Sequence, residues 1–162
     1  MCDYPLKDPA LWKKKARAFV TRSHRHLWGK NNEDPLVFLF RQDLANQFVK
    51  EVHLGWNKHG QERRLAKWGL DNKKDNGKKM ETQTDSFILP PGIVFPHIVE
   101  KELISVWIQP LDPSANPYMV PGSAKKPILL GNPINPIKSV NGLFKGLRLF
   151  QEKKELCIEI LP

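Results

Sequence analysis

Cysteine is nearly absent from this chain of 162 residues: only Cys2 and Cys157 occur, at opposite ends. No Cys-x-x-Cys pair exists, which excludes a structural zinc site built on paired cysteines. A disulfide across the whole chain has nothing to recommend it. Long apolar runs are missing too, and none approaches the roughly 20 residues of a membrane span. The opening Met1-Cys2-Asp3-Tyr4-Pro5 leads to Lys13-Lys14-Lys15 rather than to an apolar core, unlike a signal peptide. A cytoplasmic protein is expected, with no membrane partner. The five histidines, at 24, 26, 53, 59 and 97, show no metal-ligand arrangement, and His24 and His26 stand too close to share a helix face. No metal site is expected, and no Ser-His-Asp or Cys-His arrangement emerges from the spacing.

Positive charge is what the chain has in excess. Lys plus Arg number 26 against 17 for Asp plus Glu, a formal charge of +9. That balance favours polyanionic partners, nucleic acid ahead of an anionic membrane surface. The plainer reading is a solvated basic surface. A hydrophobic fraction of 40% and a charged fraction of 27% are globular values, and the length suits one domain plus a fragment of a second.

Asp8-Pro9 reads as a helix start, an N-cap acid followed by proline. Trp12, Ala16, Phe19, Val20, Ser23 and Leu27 then fall on one narrow face, and Gly29 is a stop signal. Asp34-Pro35 opens a second helix to about Phe40, and a third runs from about Leu44 to Val52 into Leu54-Gly55-Trp56-Asn57. Residues 58–86 are polar and Lys-rich, and 71–84 read as an exposed loop whose lysines serve solubility. From Phe87 the runs Ile93-Val94-Phe95 and Leu103 to Ile108, around Glu100-Lys101-Glu102, suggest a hairpin. Tyr118 to Val120 and Ile128 to Leu130 add strands that frequent prolines keep short. Leu143 to Phe150 reads as a helix and Leu156 to Leu161 as a strand. The class is α+β, without internal repeats.

Three stretches, in order, resemble the toprim-type DNA primases of bacteria and phages. They are Leu54-Gly55-Trp56-Asn57 with Trp68-Gly69-Leu70; Leu89-Pro90-Pro91-Gly92-Ile93-Val94-Phe95-Pro96; and Tyr118-Met119-Val120-Pro121-Gly122-Ser123 with Pro127-Ile128-Leu129-Leu130-Gly131. The resemblance covers most of residues 10–131. It implies the N-terminal part of an RNA polymerase core, which in that family binds template and RNA–DNA hybrid beside a catalytic toprim domain. It also implies an organisation: a helical subdomain at 1–57, a basic connecting loop at 58–86, a β-rich subdomain of primase-core type at 87–131, and a truncated, degenerate toprim start of β-α-β form at 132–162.

The family's toprim domain opens on Val-Glu-Gly-x-x-Asp-x-Leu, and this chain reads Val140-Asn141-Gly142-Leu143-Phe144-Lys145-Gly146-Leu147. Both acids are replaced. Joining nucleotides needs carboxylates that hold Mg²⁺ against a triphosphate. Asn141 supplies only a neutral carbonyl oxygen, and Lys145 puts a positive charge where the cation would sit. The resemblance implies that the family's later Asp-x-Asp segment lies past Pro162. No cofactor is therefore expected for this chain alone, although the family uses Mg²⁺ in its toprim portion. Two further departures stand out: Asp43 replaces a turn glycine, and Gln109-Pro110 replaces arginines after the second hairpin strand.

Candidate nucleic-acid contacts are Lys58, Arg63, Arg64 and Lys67, beside Trp68, and Lys125 and Lys126 after Gly122-Ser123. The plain alternatives are solvated charges, core tryptophans and a simple turn. No full Walker pattern is present. The leading expectation is a primase-like nucleic-acid-binding fragment of DNA replication without its own catalysis, with single-stranded DNA or an RNA–DNA hybrid as partner. Its rivals are a primase subunit completed by a separate toprim chain, and a decayed remnant or interaction module that docks on an intact primase or helicase.

Overall fold

The computed structural model describes residues 4–30, 32–72, 74–75, 78–79, 85–112 and 114–161, with only the backbone of 74–75, 78–79 and 161. Cys2 and much of the lysine-rich stretch 73–84 lie outside the described residues. In chain order the elements are α1 (Pro9–Leu27), α2 (Glu33–Arg41), α3 (Asn46–Glu51), β1 (Gly55–Asn57), β2 (Gln61–Arg64), a 3₁₀ turn (Leu65–Trp68), β3 (Lys74–Asp75) and β4 (Lys78–Lys79). There follow β5 (Ser86–Leu89), β6 (Gly92–Val99), β7 (Glu102–Gln109), β8 (Tyr118–Met119), β9 (Ile128–Leu130), β10 (Ile137–Asn141), α4 (Leu143–Glu152) and β11 (Cys157–Leu161). The protein is α+β.

Helix α1 starts where Asp8 accepts a hydrogen bond from the Leu11 amide at 2.9 Å, the local answer to unpaired amides at a helix start. The face expected from the spacing is the buried one, Trp12, Ala16, Phe19, Val20, Ser23 and Leu27. It packs against an antiparallel sheet of order β1-β6-β7-β8. Strands β6 and β7 form the expected hairpin, Ile93 opposite Gln109 and Phe95 opposite Trp107. Its tight turn puts Glu100 and Lys101 at φ 48° and 67°. Lys13 reaches Glu102 at 2.6 Å and Arg17 reaches it at 3.4 Å, tying α1 to that turn.

Both faces of this sheet are covered, which is why β6 and β7 are buried almost without alternation. Val94, Val106 and Ile108 join Phe19 and Trp68 in the core under α1. Trp56, Ile93, Phe95 and Trp107 join a second core with Leu39, Phe48, Phe144, Leu147, Ile158 and Ile160. A strand shows alternate side chains to opposite faces, so one hairpin feeds both cores.

The second core also holds a small sheet of order β10-β11-β9. Strands β10 and β11 run parallel, Val140 opposite Ile160, and α4 makes the crossover between them. Asp43 adopts the left-handed conformation, at φ 59°. Aspartate tolerates that region better than most residues, and here α4 holds the turn. Arg148 Nη1 donates to Asp43 Oδ2 at 3.1 Å and Gln151 Nε2 donates to the Asp43 carbonyl at 3.0 Å.

Residues 58–86, expected as a connecting loop, contain strand β2 and the 3₁₀ turn, and β3 and β4 pair briefly with each other. Strand β2 pairs with β5, Arg63 opposite Phe87. Its sequence, Gln61-Glu62-Arg63-Arg64, has no apolar residue to signal a strand; the pairing is made by backbone, and Phe87 and Leu89 of β5 supply the buried side chains. Likewise Leu54-Gly55-Trp56-Asn57 carries β1 as an edge of the main sheet, with Trp56 opposite Ile93.

His97 on β6 is 3% exposed and neither ring nitrogen has a properly formed hydrogen bond. Burial pushes its pKa below the usual imidazole range, and the nearby Leu129 backbone offsets this only in part. The unfolded chain therefore binds a proton that the folded chain refuses. Stability from this site is full above the unfolded pKa, near 6.5, and is lost as pH falls below it toward the depressed folded value. Denaturant melts between pH 7.5 and 5 should show the parent weakening on acidification. His97→Leu should flatten that dependence, and an unchanged slope would show that His97 contributes none of it.

Candidate nucleic-acid interface

The sequence-selected cations do not share one face. Lys58 is exposed on the turn between β1 and β2, and Lys67 is exposed on the 3₁₀ turn. Arg63 and Arg64 are neighbours on β2, so the strand sends them to opposite sides. Arg64 is exposed and lines a shallow cleft with Glu62, Asp85 and Ser86. Arg63 is partly buried on the side facing α1. Trp56 and Trp68 are core residues, 8% and 4% exposed. Trp68 meets Phe87 edge-on at 5.4 Å, so neither tryptophan offers a face for stacking a base.

Arg63 instead meets Arg22 of α1, a residue that gave no sequence signal beyond its charge. Arg22 Nη2 donates to Gln61 Oε1 at 3.4 Å, and Arg63 Nη2 donates to that same oxygen. The amide is oriented from behind. Gln61 Nε2 donates to Asn57 Oδ1 at 2.6 Å, and the Asn57 amide donates to the carbonyls of Leu89 at 3.2 Å and Pro90 at 2.6 Å. Asn57 is 1% exposed, so the inner end of this series is fixed by packing. Burial first, and the charge of Arg22 second, lower the Arg63 pKa from the guanidinium range. Among the described residues neither arginine pairs with a carboxylate. Lys13 and Arg17 differ, since both are paired to Glu102, whose carboxyl is held below its usual pKa chiefly by Lys13. Two like charges 4 Å apart repel by about 1 kcal/mol even in bulk water, and more beside a protein surface.

Lys125 and Lys126 are exposed between β8 and β9. They border a cleft of about 380 Å³ with Tyr4, Trp12, Lys13 and Gly122. Trp12 Nε1 donates to the Pro121 carbonyl at 2.7 Å, and Gly122 lies close against the indole at φ 84°. A side chain at 122 would collide with that ring, so the glycine shapes the cleft. Ser123 turns inward, its hydroxyl accepting from the Val106 amide at 3.0 Å. Gln109 is also structural, its amide donating to the Ala115 carbonyl at 2.7 Å.

Asn141 ends β10 and Lys145 lies in the first turn of α4, both exposed. They line a cleft of about 410 Å³ with Lys138, Arg148 and Glu152. Residues at the carboxyl end of a parallel strand and the start of its crossover helix are where α/β sheets carry ligands. This donor set does not fit a divalent cation: a hard cation wants several oxygens, and here it would meet ammonium and guanidinium groups. Among the described residues no group of three or more His, Cys, Asp or Glu is arranged to hold a metal ion. No helix among them is long and apolar enough to cross a membrane.

No protein-family model matches the chain, and a search of curated proteins finds no significant match.

Proposed function

We propose that this protein is a nucleic-acid-binding relative of the N-terminal part of the toprim primase core, without catalysis of its own. The observation that carries the reading is the β10–α4–β11 unit. The stretch resembling a toprim start is strand, crossover helix and parallel strand, with Asn141 and Lys145 at its carboxyl edge. Asn141 is neutral, and Lys145 with Lys138 alongside makes the edge basic where nucleotide transfer would require acids. The charge of +9 and the cations on β2 and between β8 and β9 support a phosphate-based mode of binding. Single-stranded DNA or an RNA–DNA hybrid is the partner class.

A fluorescence-anisotropy titration with a labelled single-stranded oligonucleotide tests it. Binding should be weak and should fall steeply with salt, because each neutralised phosphate releases counterions. No binding at low salt would overturn the reading. One observation favours a second reading, a subunit completed by a toprim domain on another chain: among the described residues β10 pairs on one side only, with β11, and Ile137 on it is 58% exposed. Primer synthesis appearing only when a second protein is added would promote that alternative.

A further inference from the structure

The convergence of Arg22 and Arg63 on one neutral oxygen is not required by the fold. Gln61 is already held by Asn57, and Arg22 stands exposed on α1. A guanidinium carries five N–H donors in a rigid fork. The bonds observed occupy Nη2 of Arg22 and Nη1 and Nη2 of Arg63, the Nη1 bond going to the Glu62 carbonyl at 3.2 Å. Two forks thus meet at one point with charge uncompensated among the described residues and donors to spare. A partner bringing both negative charge and several acceptor oxygens completes this arrangement, and a tetrahedral oxyanion presents oxygens to two forks at once where a planar carboxylate suits one.

We infer that Arg22 and Arg63, positioned by Gln61 and Asn57, form a receptor for a single phosphate group. Gln61 holds the two guanidiniums together against their repulsion, so the site is assembled before the anion arrives and less ordering is needed on binding. The receptor joins α1 to β2, and a phosphate bound there would bridge two elements that otherwise meet at this point through one amide oxygen. A phosphodiester of a nucleic-acid backbone and free inorganic phosphate offer the same oxygens. The nucleic-acid source rests on the function proposed above, whereas the receptor rests on the geometry alone.

The test follows the arginine Nε–Hε NMR signals of the full chain. Inorganic phosphate is added in one arm and a short oligothymidylate in another, with ionic strength held constant by chloride. Saturable shifts of the Arg22 and Arg63 signals are expected in both arms. Arg22→Glu, on the exposed side of α1, sets a carboxylate against Arg63. It should weaken phosphate binding by about tenfold or more, the loss of one charge-assisted contact, and leave the thermal midpoint unchanged or higher. Arg22→Gln should weaken binding similarly. In the oligonucleotide arm either variant should reduce the log–log salt slope by about 0.7, the value for one phosphate on a single strand. Parent signals that do not move with phosphate, or variants that bind it as the parent does, would overturn the receptor. Phosphate shifts without oligonucleotide binding would keep the receptor, assign it free phosphate and remove the nucleic-acid reading. Oligonucleotide binding with both arginine signals unmoved in both arms would do the reverse.

Discussion

Phe19→Ala should lower the unfolding free energy by about 3–5 kcal/mol, the range for emptying a fully buried aromatic site. Phe19 is 1% exposed and sits mid-way along α1. It meets Trp68 edge-on at 6.3 Å, and Trp68 in turn meets Phe87. Removing the ring opens a void between a helix, a 3₁₀ turn and a sheet, none of which can collapse without breaking its other contacts. A urea melt checks the effect, with Phe40→Ala as the control. Phe40 is 77% exposed, and its loss should stay within about 0.5 kcal/mol. Equal midpoints for the two variants would show that the α1 face is not core.

Gly55→Ala should cost about 3 kcal/mol, the upper end for forcing atoms into a packed site. A Cβ there would lie 2.7 Å from the carbonyl carbon and the Cβ of Ser23 and 2.8 Å from the His24 nitrogen. Two of those atoms are helix backbone and cannot rotate away, so β1 must lift off α1. That movement also disturbs Trp56, the neighbour of Gly55 in the second core. Ser23→Gly removes one of the three collisions. The double variant should therefore be less unstable than the sum of the two singles, a coupling that a double-mutant cycle measures. A Gly55→Ala chain as stable as the parent would mean that the close approach of α1 and β1 is not maintained in solution.

The first helix was legible in the sequence because its six buried residues follow one period under an acid–proline start. The β6–β7 hairpin was legible because two apolar runs flank a charged turn. The strand, helix and strand of 137–161 agree with the expected β-α-β form. Strands β1 and β2 were not legible. β1 is three residues long, and β2 carries four polar residues, so periodicity has nothing to act on. The candidate cations were visible as a run, but a run says nothing of faces. Pairing with β5 separates Arg63 from Arg64 and presents Arg63 to Arg22, 41 positions earlier by residue number. That partnership depends on tertiary contact, as does the orientation of Gln61 by Asn57. Nor does the local sequence mark Asp43 for the left-handed conformation it takes, where Arg148 and Gln151, more than 100 residues on, secure it.

The sharing of cores between distant parts of the chain bears on how the protein comes to be folded at all. The apolar side of α1 waits for strands at 92–109, and Leu39 and Phe48 wait for α4 and β11, which end at residue 161. On a ribosome the helices emerge with apolar surfaces that β1 and the 3₁₀ turn cover only in part, until the hairpin and then β11 have been made. Closure over such long loops is slow compared with local helix formation. Assembly then waits on the last of these strands, and the helical segment that precedes them is the stage most exposed to aggregation.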